Sequence, residues 1–414
     1  MIERKMEEEQ FINSITFEEF LNGEVLILQC MGLSYFNRVF SNSEEIEKWW
    51  EKIIPFCGIL IVCLSTYLEL IRVIRVIDVD FTHAIDILSA MSSGMLCTFK
   101  AIRCWTHRKE LFDFLRQLKT LWDSADSNKY ISEDILNIVI YARSFRNYLT
   151  IIVIALAVSY AIPAYTVLGS HLIFHRDEYF FNFSMIMFPV TYPFTINSYS
   201  IYFSCLLFEQ LVELLAIPYW LCGEVLFVQL TTHVGAQCTI LVNRLRGINK
   251  DGSGSDNHEN HRQLADIISI HHKLYLHYCW LQRFFNPILF FVTLVNGANL
   301  CFSLYRVDGE INERNWDILL SKVLYLVAVL GQTFLFCKHA DVLTEKLDEI
   351  SYAAYHCDWT HCDKTFKTMM LMIIKRAQNG YRFTTYGIIT LDVMEFTKIV
   401  NAAMSYFAIL RSFG

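Results

Sequence analysis

The chain has 414 residues, of which 54% are hydrophobic and only 19% are charged, and its formal net charge is −7. A soluble protein of this size needs more charge to cover its surface, so the composition indicates a membrane protein. The negative net charge and the lack of a basic arm argue against a nucleic-acid partner.

Length and charge indicate seven apolar segments as membrane spans, each of which takes about 20 residues of helix to cross a bilayer. In chain order the predicted spans are Ile53–Leu68, Ala84–Cys104, Tyr148–Leu168, Thr195–Phe227, Phe284–Tyr305, Ile318–Cys337 and Gly387–Leu410. The fourth is too long to cross directly, so we expect it to tilt or protrude. The predicted fold class is therefore an all-α membrane protein with seven transmembrane helices.

The distribution of lysine and arginine predicts which ends of the spans face the cytoplasm. Most of the 35 such residues lie before the first span and in the loops after the second, fourth and sixth. Because cytoplasmic loops carry this excess, we expect the N-terminus inside and the C-terminus outside. The sequon at Asn182 would then lie outside and be open to glycosylation. This topology is inverted relative to G-protein-coupled receptors, whose Asp-Arg-Tyr and Asn-Pro-x-x-Tyr motifs are missing from the sequence.

The segments between the spans are mostly cytoplasmic in this topology. Gly247–Asn260 has the composition of a flexible polar linker. Apolar residues then recur near helical spacing and predict an amphipathic helix that leads into the fifth span; they are Leu264, Ile267, Ile268, Leu274 and Leu281. Asn286-Pro287 is interpreted as an ordinary proline near the start of that span. Lys338–Gln378 is charged and periodic, which predicts more than one further helix.

Charged residues inside spans are costly and are usually paired or functional. Glu209, Glu213 and Glu224 either face partner helices or the cytoplasmic part of a long helix, or they line an ion path. Asp392, Glu395 and Lys398 occupy the first half of the seventh span. They are either the wet end of a pore-lining helix that narrows to a dry constriction, or a sign that the span begins later.

The segment His356–Cys362 holds enough histidine, cysteine and aspartate to suggest zinc. On a helix, however, Cys357 and Cys362 point in different directions, so no metal site is predicted. The sequence has no phosphate-binding loop, nucleophile elbow or His-Glu-x-x-His motif. We therefore predict neither an enzyme nor a cofactor.

The last residues carry the most specific pattern. Phe396–Ser412 ends in Ser-Tyr-Phe-Ala-Ile-Leu-Arg-Ser and resembles the C-terminal signature of insect odorant receptors. Tyr355 and Trp359, followed by Arg376-Ala377-Gln378, resemble that family's cytoplasmic anchor segment. The long second cytoplasmic insertion of the co-receptor is missing, so the chain resembles an odorant-specific subunit. A gustatory receptor-type channel and a seven-helix G-protein-coupled chemoreceptor are the alternatives.

This resemblance implies the odorant-binding subunit of a ligand-gated, non-selective cation channel. The channel would be a heterotetramer with the odorant receptor co-receptor, in the plasma membrane of olfactory sensory neurons and without a G protein. Residues 1–337 would form a six-helix bundle with the odorant pocket in its outer half. Residues 338–386 would form cytoplasmic anchor helices, and residues 387–414 the pore-lining seventh helix.

The resemblance also locates candidate site residues. It places the pocket for a volatile, mostly apolar ligand between the second, third, fourth and sixth spans, and depth in those spans then selects eight candidates. They are His83, Ile87, Ser159, Ile162, Tyr199, Phe203, Leu324 and Tyr325. Aligning the C-terminal motif with that of the co-receptor places Ile409 at the pore constriction, with Ser412 and Phe413 beside it.

Overall fold

A computed structural model describes residues 17–40, 48–124, 133–174, 183, 186–248, 257–378 and 380–413. The first part consists of α1 (Phe17–Cys30), a 3-10 helix (Ser34–Val39), α2 (Trp50–Val76), α3 (Phe81–Thr106) and α4 (Arg108–Trp122). The long helices α5 (Glu133–Phe174), α6 (Tyr199–Gly247), α7 (Asn257–Glu313) and α8 (Trp316–His356) follow. The last elements are α9 (Lys364–Ala377), the strands β1 (Thr384–Thr385) and β2 (Ile389–Thr390), and α10 (Val393–Phe413).

Seven of these helices are long and apolar enough to cross a membrane, which confirms the seven predicted spans. They are α2, α3, α5, α6, α7, α8 and α10. Helix α7 has 57 residues and would be about 85 Å long, far more than a bilayer requires. We call the end where α6 ends and α7 begins the basal end, and the opposite end the apical end.

A basal layer forms where α6, α7 and α8 extend past the predicted spans. The expected amphipathic stretch is the first part of α7, and Leu264, Leu274 and Leu281 are fully buried. Where the layer meets the spans, the Phe227 ring lies 5.0 Å from Phe285, 5.2 Å from Phe336 and 5.6 Å from Phe383. Three long helices and the segment before β1 therefore share one aromatic core. The boundary expected at 337/338 falls inside the continuous helix α8.

A short β-hairpin joins the basal layer to the last helix, where the sequence predicted helix from Gly387 onward. Thr384 pairs with Thr390 and Thr385 with Ile389, and the turn uses positive φ at Tyr386 (51°) and Gly387 (71°). Such φ values are incompatible with a right-handed helix. The seventh span therefore begins at Val393.

The start of α10 settles part of the question about its charged residues. The Glu395 backbone N–H donates to the Asp392 carboxylate at 2.7 Å, as a helix N-cap does. The Lys398 ammonium pairs with the Glu395 carboxylate at 3.0 Å. Asp392 thus precedes the helix rather than lying in its interior, because the span begins later than its hydropathy suggested.

Pro287 lies well inside α7, so the interpretation of a proline near a helix start is wrong. Proline has no backbone N–H, which leaves the carbonyl of Arg283, four residues earlier, without its helical donor. The Arg103 guanidinium of α3 donates to that carbonyl at 3.2 Å and to the Phe284 carbonyl at 3.3 Å. A side chain from a neighbouring helix thus replaces the missing donor.

Glu224, a buried charge of α6, faces partner helices. The Lys100 ammonium lies 2.5 Å from the Glu224 carboxylate, and both side chains are fully buried. Glu224 also accepts a hydrogen bond from the Gln332 amide, and Gln332 in turn accepts one from Asn296 at 2.8 Å. These residues link α3, α6, α8 and α7 through one polar network. This arrangement supports the structural interpretation of Glu224 over an ion path.

Candidate functional site

An apolar cavity of about 190 Å³ lies in the apical half of the bundle. It is bordered by α2, α3, α5, α6 and α8 and closed by the segment that precedes α6. We call it the inner cavity. The sequence-based location omitted the first span, which contributes Val62, Ser65, Thr66 and Glu69 through α2.

Close packing of α2 and α3 shapes one wall of the inner cavity. Gly94 of α3 faces Thr66 of α2, and a Cβ atom on Gly94 would collide with the Thr66 methyl group. Both residues line the cavity. A glycine is therefore required there by the close approach of the two helices rather than by its backbone angles.

The carboxylate of Glu209 holds the segment that closes the inner cavity. It accepts hydrogen bonds from the backbone N–H groups of Met187 at 2.8 Å and Phe188 at 3.3 Å, and from the Tyr192 hydroxyl at 2.8 Å. Met187 and Phe188 line the cavity, and Glu209 itself is fully buried. The carboxylate is thus a structural anchor for the cover, which is a non-helical segment and not one of the partner helices that the sequence suggested.

Two further carboxylates line the inner cavity. Glu213 is 7% exposed and accepts a hydrogen bond from Gln210 at 3.0 Å. Glu69 is 4% exposed, and its carboxylate has no hydrogen bond or ion pair with any residue that the structure describes. Sequence reasoning missed Glu69, because the first predicted span ended at Leu68. The available signal was the spacing of Val62, Thr66 and Glu69, which places the three residues on one face of a helix.

A larger outer chamber of about 580 Å³ adjoins the inner cavity, with which it shares Ala90, Tyr160 and the cover residues Met187, Phe188 and Pro189. Its lining is polar and includes Arg72, His83, Asp86 and Lys322. The Asp86 carboxylate pairs with the Lys322 ammonium at 2.8 Å and with the Arg306 guanidinium of α7 at 2.8 Å. Ion pairs between α3, α7 and α8 therefore hold this chamber together.

The structure places two of the eight candidate ligand residues at these cavities. The Tyr325 hydroxyl, in the inner cavity, lies 2.7 Å from the Ser93 hydroxyl and donates to the Ser89 carbonyl at 3.2 Å. His83 lines the outer chamber, and its backbone N–H donates to the Asp80 carboxylate at 2.9 Å.

The other six candidates line neither of these two cavities. Ile87 is fully buried, whereas Ile162 and Phe203 are about half-exposed on the outside of the bundle. The Ser159 hydroxyl donates to the Leu156 carbonyl of its own helix at 2.6 Å. The Tyr199 ring lies 5.8 Å from the Phe183 ring at a tilt of 55°, and Leu324 is half-buried. A ligand contact at any of the eight residues stays a prediction.

Helix α10 is buried along one side only. Ile399 and Ala403 pack against Leu300 of α7 and Val329 of α8. Ile409 is 52% exposed, and the exposed Ser412 donates its hydroxyl to the Ile409 carbonyl at 2.7 Å. Phe413 is the last residue of the helix. The predicted gate residues thus lie at the apical end of a helix that leaves one face uncovered.

Other candidate positions lie elsewhere. Asn182 and residues 249–256 of the polar linker fall outside the described residues. Cys357 is buried in the basal layer, and its thiol donates to the Leu245 carbonyl at 3.4 Å. His356 donates from Nδ1 to the Tyr352 carbonyl at 2.8 Å. Across the described part of the chain, histidine, cysteine and carboxylate side chains form no cluster that could hold a metal ion.

Asp363, at the start of α9, is one of the ionisable groups outside the spans whose pKa is shifted. A hydrogen bond from the His261 imidazole, at 2.8 Å, lowers the pKa of Asp363 below its usual value. Asp363 also accepts from the backbone N–H groups of Thr365 and Phe366 and so caps α9. This contact ties the start of α7 to α9 within the basal layer.

Known proteins share both the sequence pattern and the fold. The sequence profile of a family described as 7tm Odorant receptor matches residues 80–404. The chain is 30% identical to odorant receptor 10 of Aedes albopictus over 165 residues, which is 39% of this chain and 43% of that relative. It is 23% identical to putative odorant receptor 92a of Drosophila melanogaster over 349 residues, which is 80% of this chain and 79% of that relative. The chain thus spans under half the length of several curated relatives that it matches.

Solved structures of the insect olfactory receptor OR5 from Machilis hrabei have the same fold. One has a TM-score of 0.73 at 13% identity, covering 94% of this chain and 98% of that chain. A second, in complex with eugenol, has a TM-score of 0.76 at 14% identity, covering 96% of this chain and 100% of that chain.

Proposed function

The chain belongs to the 7tm odorant receptor family, and we propose that it is the odorant-binding subunit of a ligand-gated, non-selective cation channel. It would form this channel as a heterotetramer with the odorant receptor co-receptor. The family and the fold are those of receptors, not enzymes. The observation that carries the proposal is the apolar inner cavity, which lies among five of the spanning helices.

The inner cavity suits a small, mostly apolar ligand. Val153, Leu156, Ile217 and Trp220 supply dispersion contacts and a surface that favours the loss of water. Hydroxyl groups such as those of Ser93 and Tyr325 are placed to orient a polar atom. The cover held by Glu209 would have to move for a ligand to enter through the outer chamber.

Helix α10 is the proposed pore lining. In a tetramer, one face of α10 would pack against α7 and α8 of its own subunit. The uncovered face, which includes Ile409, would line the pore. Isoleucine side chains arranged around a narrow point of the pore exclude water there and so block ions. Ligand binding would open the pore by moving this helix outward.

We place the basal end in the cytoplasm, because most lysines and arginines of the loops lie there. The basal layer would then hold the subunits together beneath the plasma membrane of an olfactory sensory neuron. Asn182 would be glycosylated on the outside. An epitope inserted after Gly252 should stain permeabilised cells only, and staining of intact cells would refute this topology.

Recording current from cells that express the chain with the co-receptor tests the proposed function. We expect a panel of small volatile compounds to contain activators, and cells that express the co-receptor alone to respond differently to that panel. Substitution of Tyr325 by alanine should shift which compounds activate. A response that requires a G protein, or none in cells where both subunits reach the surface, would refute the proposal.

A further inference from the structure

The carboxylate of Glu69 is buried among the spanning helices without a hydrogen-bond or ion-pair partner among the described residues, which is unusual in a membrane protein. It is 4% exposed and borders the inner cavity. Burying an ionised carboxylate without a partner is strongly unfavourable. A partner supplied from the cavity itself would remove that cost.

The charged side chains around the inner cavity leave this carboxylate without a cation. Glu213, the second charged residue in the lining, is also acidic. Lys100 lies behind the wall and is paired with Glu224 at 2.5 Å. Arg72 and Lys322 line the outer chamber, and Lys322 is paired with Asp86 at 2.8 Å. The described lining of the inner cavity is therefore negative.

The same cavity also presents aromatic side chains. Tyr160, Phe188, Trp220 and Tyr325 all border it. Aromatic faces attract cations, most strongly where water is excluded. One water needs at least about 10–15 Å³ of such volume, so the cavity of about 190 Å³ has room for a molecule of on the order of ten or more non-hydrogen atoms.

We propose that the inner cavity binds a small alkyl or arylalkyl amine as its ammonium ion, with Glu69 as the counter-ion. This inference rests on the proposed odorant-binding function and names the chemical class of the ligand. Amines of this kind have a pKa near that of lysine, about 10, and are cationic at neutral pH. The hydrocarbon part would fill the apolar remainder of the cavity, and Glu213 would add to the negative potential.

A neutral ligand is the competing interpretation. A protonated Glu69 would donate a hydrogen bond to a carbonyl or hydroxyl oxygen. Glu69→Gln separates the two, because glutamine keeps a donor but loses the negative charge. Glu69→Asp keeps the charge and shortens its reach.

The experiment compares three probes of the same size: 2-phenylethylamine, 2-phenylethanol and phenylacetaldehyde. Binding is measured as thermal stabilisation of the purified full-length chain, and activation as current with the co-receptor. We expect 2-phenylethylamine to bind the wild-type chain more tightly than either neutral probe. Glu69→Gln should weaken amine binding by about ten- to a hundredfold. The control Glu345→Gln removes an exposed carboxylate at the basal end and should leave it unchanged.

The outcomes distinguish this inference from the proposed function. Amine binding that Glu69→Gln abolishes, without current from any probe or from the wider odorant panel, supports the amine site and refutes the channel. Activation by the alcohol or the aldehyde, with no amine binding, refutes the amine site and leaves the channel standing. Amine binding that survives Glu69→Gln also refutes it. If that variant does not fold, selective weakening of the amine in Glu69→Asp supports the site, and equal weakening of all three probes refutes it.

Discussion

Replacing Lys100 with methionine is expected to destabilise the receptor strongly. Methionine preserves the unbranched stem, which packs against Gly223 so closely that a Cβ there would lie 2.8 Å from Lys100 Cδ. What is lost is the charge that neutralises Glu224. Both side chains are fully buried, 2.5 Å apart, so the substitution leaves an uncompensated acid in the bundle. Breaking such a pair from one side costs roughly 3–5 kcal/mol.

The thermal midpoint of the purified receptor measures this cost. Lys100→Met should lower the midpoint markedly, and the double variant Lys100→Met with Glu224→Gln should recover most of the loss, because it removes the orphaned charge. Arg246→Met is the matched control, since its pair with Glu349 at 3.3 Å is largely exposed and is worth about 0–1 kcal/mol. A single variant as stable as the wild type, or a double variant no better than the single one, would refute the reasoning.

Three further predictions concern the cavity, the gate and the basal layer. Tyr325→Phe removes two hydrogen bonds of about 1 kcal/mol each, and dose–response curves should show shifted odorant preference with unchanged ion selectivity. Ile409→Ser should raise basal current or alter ion selectivity without moving odorant preference, as recorded in ligand-free cells. Asp363→Ala removes the cap of α9 and should lower stability slightly, because the backbone N–H groups of Thr365 and Phe366 lose their acceptor. The pKa of Asp363 in the folded protein is below the usual 3.8. Its contribution to folding stability is therefore present above pH 3.8 and is lost as pH falls through the folded pKa. Thermal melting at a series of pH values measures this loss.

Each of these predictions has its own control. Met404→Ser replaces another exposed side chain of α10, and we expect it to leave conduction unaltered. If Ile409→Ser also conducts normally at the cell surface, the proposed register of the gate is wrong. A Tyr325→Phe receptor with the wild-type odour profile would place the pocket elsewhere. Loss of stability in Asp363→Ala that is undiminished at pH 2 would contradict the linkage argument.

Hydropathy predicted the number of spanning helices but not their lengths. A helix that leaves the membrane keeps its hydrogen bonds and changes only the residues on its surface, so α7 and α8 continue where the apolar run ends. The β-hairpin escaped prediction because Thr384–Thr390 is too short to show an alternating pattern. Glu69 escaped because a span drawn from hydropathy stops at the first charge, and only the tertiary fold shows that this charge faces a cavity.

The position of the β-hairpin divides the spanning helices into two mechanical classes. Helices α6, α7 and α8 run without a break from the apical end into the basal layer. Movement of one of them alone would therefore break helical hydrogen bonds or displace the basal layer. Helix α10 is attached through a ladder of two strands, whose last link is the Leu391 N–H donating to the Phe383 carbonyl at 2.8 Å. Helix α10 can therefore move as a rigid body relative to these three helices, with a hinge between Leu391 and Val393.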